Sequence, residues 1–200
     1  MEIINNTIEQ PQTSDFKLYM LLLGSKAPKR NVEQHDYFFG IAGSLKELVP
    51  EIRAFWSGAS NSLHIDGWRE VSKVDDWKIR VVLQNDNAPV SSKKLFFINL
   101  GGYTSGKLEE QHYTILTVQD NRALAIQAAK KNVFFKTNSL KGIAAAHIDE
   151  KYGIDIDSVN QIEELLSPVF KEKYRLVISE GAELPEDEIH LGYFKLDKLK

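Results

Sequence analysis

The sequence predicts an α+β fold of two pseudo-symmetric strand-strand-helix-strand-strand repeats packed as one unit. Three observations predict it. Leu23-Gly24 followed by Glu33-Gln34-His35 recurs as Leu100-Gly101 and Glu110-Gln111-His112, each residue displaced by 77 positions (from 23 to 100). Self-similarity at a fixed offset is the mark of a repeated architecture. Upstream, Lys17-Leu18-Tyr19 answers to Lys94-Leu95-Phe96 at the same offset. In both stretches a short apolar run closed by glycine precedes a segment of helical periodicity, a mixture of periods that suits α+β. A third shared motif, His64-Ile65-Asp66, reappears as His147-Ile148-Asp149 at an offset of 83 (from 64 to 147), which implies six extra residues in the second copy. Half of a 200-residue chain buries a modest core, so the halves are expected to pack together.

Taken in order, residues 1–14 are polar, contain Pro11 and lack periodicity, and read as a flexible N-terminus. Repeat one is expected over 15–83. Phe16 to Leu23 is an apolar strand closed by Gly24, and the loop from Gly24 to Asn31 is rich in turn formers and basic at Lys26, Lys29 and Arg30. His35 to Ala42 is the second strand. Ser44-Leu45-Lys46-Glu47 has the form of a capping box, opening a helix to about Trp56 that Pro50 either kinks or divides near Val49. Trp68 to Val74 and Trp77 to Leu83 are strands joined at Asp75-Asp76. Residues 84–93, with Asn85, Asp86, Asn87, Pro89 and two serines, form the linker.

Repeat two is expected over 94–179, with strands at Leu95 to Leu100 and His112 to Val118. Asp120 is placed to cap a helix from Asn121 to Phe135, whose alanine-rich centre favours helix. Residues 157–166 suit a strand or a short helix, and Tyr174 to Ser179 is the last strand. Residues 180–200 form a C-terminal tail, acidic around Glu186-Asp187-Glu188 and then amphipathic.

Composition narrows the function classes. A hydrophobic share of 42% with 26% charged residues is that of a globular protein, and a net charge of −3 offers no basic footprint for nucleic acid. With no cysteine, thiolate metal sites, disulfide scaffolds and cysteine nucleophiles are excluded. The start has no basic n-region followed by a long apolar stretch, so no secretory signal is expected. The apolar run from Leu18 to Leu23 is too short to span a bilayer. The cytoplasm is the expected compartment, with no membrane and no nucleic-acid partner.

The apolar strand ending Leu-Gly, then Glu33-Gln34-His35-Asp36, Phe38-Phe39-Gly40-Ile41, His64-Ile65-Asp66, and Phe96-Phe97-Ile98-Asn99-Leu100-Gly101-Gly102-Tyr103 in the second copy resemble a bacterial family, the domain of unknown function numbered 1543, over roughly residues 17–178. The resemblance implies two tandem copies in a bacterial cytoplasmic protein and transfers no catalytic residue. Tyr113 stands where the first copy has Asp36, so a carboxylate at that position serves one half alone.

The shared motifs hold His35, His64, His112 and His147 beside Glu33, Asp66, Glu110 and Asp149. In an extended segment, alternation puts Glu33 with His35, and His64 with Asp66, on one face. Imidazole and carboxylate converging from several strands can hold Zn²⁺, Mn²⁺ or Fe²⁺, which would suit a metal-dependent hydrolase or related enzyme. The same residues can instead be structural, bonding the loop that precedes each second strand. Because architecture is inherited by both copies, the leading expectation is a non-catalytic module, without cofactor, that binds a small molecule or protein in a groove between repeats lined by the two long loops. Lys26, Lys29 and Arg30 of the first loop and Tyr103 and Lys107 of the second are its candidate ligand contacts. The glycines of the second loop do not make a phosphate-binding P-loop, and a homodimer is compatible with such a groove. Trp56, Trp68 and Trp77, confined to the first copy, are expected to fill its core or the contact between halves.

Overall fold

A computed structural model describes residues 15–26, 28–59, 62–103, 108–131 and 154–199. The fold is α+β, built on antiparallel sheets with few helices. Strand β1 (Lys17–Ser25) lies between β2 (Gln34–Ala42) and β3 (His64–Glu70), and β10 (His190–Lys195) adds to the outer edge of β3, giving the order β10-β3-β1-β2. β1 is central and covered on both faces, so its apolar residues run almost continuously, with Leu18, Leu21 and Leu23 all buried. A second sheet has the order β7 (Glu110–Gln119), β6 (Lys94–Tyr103), β8 (Ile154–Gln161).

The two sheets share a register. Gly24 lies opposite His35 and Leu23 opposite Asp36, just as Gly101 lies opposite His112 and Leu100 opposite Tyr113. The third strand shifts register at the matching place in each, between Leu22 and Leu23 and between Asn99 and Leu100. The remaining strands, β4 (Lys73–Val74), β5 (Trp77–Leu83) and β9 (Tyr174–Glu180), form a third sheet in which Ile79 pairs with Ile178.

Alternation along β2 links the sheets. Tyr37 and Phe39 both meet Phe97 of β6, with ring centroids 5.3 and 5.1 Å apart, while Phe38 turns the other way to Phe55 at 5.4 Å. One hydrophobic core thus runs from Leu21, Phe39 and Ile65 to Leu95, Phe97, Val118 and Ile162, and Trp56, Trp68 and Trp77 pack against it partly buried. A smaller core on the far face of the second sheet joins Phe96, Ile98 and Leu100 to Ala125 and Ala129 of helix α2 (Arg122–Lys130).

Several expectations are refined. The first helix is divided: a 3₁₀ turn over Leu45–Leu48 gives way to α1 (Val49–Phe55), because Pro50 near a helix start needs no backbone donor. The Ser44 hydroxyl donates to Glu47 Oε1 (3.0 Å), and Glu47 Oε2 accepts from the Gly43 amide (3.2 Å), so Glu47 rather than Ser44 carries the cap. Asn121, not Asp120, caps α2, its side chain accepting from the Leu124 amide at 3.0 Å; Asp120 pairs with Lys93 at 2.9 Å. The stretch 157–166 is both candidates in turn, the end of β8 and then α3 (Ile162–Leu165), followed by α4 (Pro168–Lys173).

The expected boundaries are crossed by strand pairing. β5, assigned to 15–83, pairs with β9, assigned to 94–179, and the supposed tail 180–200 supplies β10. Main-chain pairing needs no side-chain signature, so an edge strand with exposed Leu191 and Tyr193 carries little burial pattern.

Candidate functional site

Each of the first two sheets brings a glutamate, a histidine and an aspartate together at the end of its hairpin. In the first, Asp66 occupies the residue added to β3 at the register shift, and its carboxylate lies between two imidazoles. His35 Nε2 is 3.1 Å from Asp66 Oδ2, and His64 Nε2 is 3.1 Å from Asp66 Oδ1 and 3.5 Å from Glu33 Oε1. His64 is 2% exposed. Its Nδ1 lies 2.7 Å from the Ser62 carbonyl, and a carbonyl only accepts, so Nδ1 carries hydrogen. Buried Ser25 fixes that segment, donating to the Ala59 carbonyl at 2.7 Å with its oxygen 2.8 Å from Ser62 Oγ. The ring of Tyr193, from β10, lies 4.1 Å from that of His64.

In the second sheet His112 Nδ1 is 3.2 Å from Asp157 Oδ2, and His112 Nε2 is 3.8 Å from Glu110 Oε2. Asn99 donates to Asp157 Oδ2 at 3.0 Å. Glu110, His112 and Asp157 each offer a ligand atom within 4.8 Å of the others, and all three are exposed.

The same glycine makes room in both. A Cβ on Gly24 would lie 2.4 Å from Asp66 Oδ2 and 2.6 Å from His64 Nε2, and one on Gly101 would lie 2.5 Å from Asp157 Oδ2.

Between the hairpins is a cleft of about 550 Å³. His35, Asp36 and Tyr37 line one side and Asn99, His112, Ser158 and Asn160 the other, over Leu22, Phe55, Phe97 and Leu165. A larger hollow of about 620 Å³ lies along β5, between Phe16 and Pro89. Among the described residues it holds none of the histidines, and its Lys17 and Glu70 are paired at 2.6 Å, so the chemistry points to the cleft between hairpins.

The two hairpin ends bring together Glu33, His35, His64 and Asp66, and Glu110 with His112. His147, Asp149 and Lys107 lie outside the described residues, as does the side chain of Tyr103, whose backbone ends β6. The partner of His64-Ile65-Asp66 in the second sheet is Asp155-Ile156-Asp157: Ile65 lies opposite Leu23 and Ile156 opposite Leu100. The displacement there is 91 positions (from 64 to 155) rather than 83. Asp157 was missed because its segment lacks a histidine, although the alternation Ile154-Asp155-Ile156-Asp157 was a usable strand signal. Among the described residues the cleft is lined by strand residues together with Phe55 and Leu165; Lys26, Lys29 and Arg30 are exposed and do not line it, and Lys29 holds the left-handed conformation at φ 64°.

Taken together, the fold and its hairpin ends define an α+β protein of paired antiparallel sheets with carboxylate–imidazole clusters. Residues 30–81 match the family described as Domain of Unknown Function (DUF1543), a segment running from the β1–β2 loop into β5. The chain is also similar to a solved structure, the crystal structure of a protein Il1583 from Idiomarina loihiensis, at 20% identity and a TM-score of 0.57, over 92% of this chain and 99% of that one. That likeness is one of fold. No curated protein matches the chain. Among the described residues, no helix is long and apolar enough to cross a membrane.

Proposed function

We propose that the protein is a non-catalytic, cytoplasmic binding module of bacterial type, built by internal duplication, whose ligand surface is the cleft between the two hairpins. One observation carries the reading: the cleft of about 550 Å³ has both motif histidines, His35 and His112, on facing walls above an apolar floor. Its size and its few convergent polar groups suit a small molecule, and its lining offers a planar polar ligand imidazole, amide and hydroxyl partners over Tyr37 and Phe97. Duplication is supported by the common register and register shift of the two hairpins.

Ser158 lines the cleft, and Ser158→Trp would fill it. In a small-molecule screen by thermal shift, compounds that raise the melting temperature of the native chain are expected to leave Ser158→Trp unmoved, since stabilisation follows occupancy of the native site. Hits that stabilise both alike would place the binding surface elsewhere.

A second reading, a metal-dependent hydrolase or related enzyme, draws on the close grouping of Glu110, His112 and Asp157. It requires hydrolysis of a model ester or phosphoester that depends on added divalent metal and disappears in Asp157→Asn.

A further inference from the structure

We propose that the end of the second hairpin binds one divalent first-row transition-metal ion, with Glu110, His112 and Asp157 as its protein ligands. The inference deepens the second reading of function and rests on the same grouping, but it requires binding alone and no hydrolysis.

Three neighbouring strands bring the ligands together. Glu110 and His112 are two residues apart on β7, so alternation turns both to one face of the sheet. Asp157 comes from β8, on the other side of β6, as the residue added at the register shift between Asn99 and Leu100. An added residue of this kind re-aims its side chain relative to the ladder. Here Asp157 Oδ2 is brought to 3.2 Å from His112 Nδ1, while Glu110 Oε2 lies 3.8 Å from His112 Nε2.

Gly101, in the central strand and opposite His112, leaves the space they occupy. A Cβ on it would lie 2.5 and 2.7 Å from the two Asp157 carboxylate oxygens and 2.8 Å from Glu110 Oε1. Two carboxylates from strands on either side of β6 thus converge on one point above a glycine. Like charges brought so close repel, and a cation bound between them removes the repulsion.

The reach is that of one small ion. Each of the three residues offers a ligand atom within 4.8 Å of the others. Atoms held roughly 2.0–2.2 Å from an ion stand roughly 3.0–4.4 Å apart, and the three exposed side chains have room to turn through the small remainder. Among the described residues, no group at the first hairpin end brings three such atoms within the same reach. One imidazole with two carboxylates mixes a borderline donor with hard ones, which suits Zn²⁺, Mn²⁺ or Fe²⁺ better than the oxygen shells of Mg²⁺ and Ca²⁺. Asn99 supplies the outer contact that ligating carboxylates commonly have, donating to Asp157 Oδ2 at 3.0 Å. Three protein ligands leave coordination positions open, and His112 and Asn99 both line the cleft, so the ion is reached from that side.

The full chain, without a polyhistidine tag, is titrated with Zn²⁺ by calorimetry and with Co²⁺ by visible absorption. Saturable binding of one equivalent is expected. Glu110→Gln and Asp157→Asn, at exposed positions and with the fold checked by circular dichroism, should each weaken binding by about tenfold or more, since even outer contacts of a metal site are worth that much. Glu33→Gln, at the first hairpin end, should leave the affinity unchanged. Absence of saturable binding, or affinity unchanged in the folded Glu110→Gln and Asp157→Asn variants, overturns the proposal. Binding without metal-dependent ester or phosphoester hydrolysis sustains it and removes the second reading. Metal-dependent hydrolysis in which binding survives both substitutions places the ion elsewhere and overturns it.

Discussion

At Gly24 and Gly101 a missing side chain leaves room for the hairpin-end clusters, yet the two positions differ in how much their neighbours can yield. The nearest atoms to a Cβ on Gly24 belong to Asp66 and to His64, which is 2% exposed, whereas Gly101 would meet Asp157 and Glu110, both exposed. Gly24→Ala is therefore expected to destabilise the protein by about 1–3 kcal/mol, as overpacking does, and Gly101→Ala by less; urea denaturation of the two variants checks the order. Tyr19 is a second residue whose burial has a measurable consequence. Burial, reinforced by the nearby charges of Glu70 and Glu47 and by a hydrogen bond to Glu70, pushes its hydroxyl up to about 12. A group whose folded value lies above its unfolded value of about 10 stabilises the fold while protonated and loses that contribution as pH rises through the interval. Stability should thus fall between pH 10 and about 12, and Tyr19→Phe should flatten that part of the curve. Among the site residues, Glu33, His35, Glu110 and His112 were readable from their common offset. Asp157 was not, because in sequence His147-Ile148-Asp149 matches His64-Ile65-Asp66 more closely than do the residues at the register shift of the second sheet.

The elements themselves were largely readable where periodicity was strong. Trp77 to Leu83 was expected as a strand and is β5 to the residue, and Pro50 divides the first helix near Val49. The exceptions are elements held by contacts distant in sequence. β10 has no buried side chain, yet it is tied down through the segment before it: Asp187 accepts from the Ser72 hydroxyl at 2.6 Å and from the amides of Ser72 and Lys73, while Glu186 pairs with Lys73 at 2.7 Å. Asp187→Ala leaves those donors without their partner and should cost about 1–3 kcal/mol. Hydrogen exchange locates the effect: amides of β10 should lose protection before those of β1, because a strand paired on one side opens locally at lower free energy. Tyr193 would leave His64 in the same opening.

At the scale of the molecule, Phe97 meets Tyr37 and Phe39, and β5 pairs with β9, so packing and main-chain bonds join the two halves of the chain. A single calorimetric unfolding transition is expected, and Phe97→Ala, at a site 8% exposed, should lower stability by about 3–5 kcal/mol without splitting that transition. Two transitions would mean that the halves unfold separately. Along the chain, local information sufficed for the α+β class, for most strands, and for the Gly–Glu–His frame of each hairpin end, because side-chain alternation, turn chemistry and fixed spacing are written in neighbouring residues. Which strands share a sheet, that β10 completes the first one, that Asp157 stands at the second register shift, and that two carboxylates lie beside Nε2 of a buried His64 all depend on main-chain pairing and burial between segments far apart in sequence. Such pairings are selected by the total burial of the folded chain, a quantity that no local stretch of residues carries.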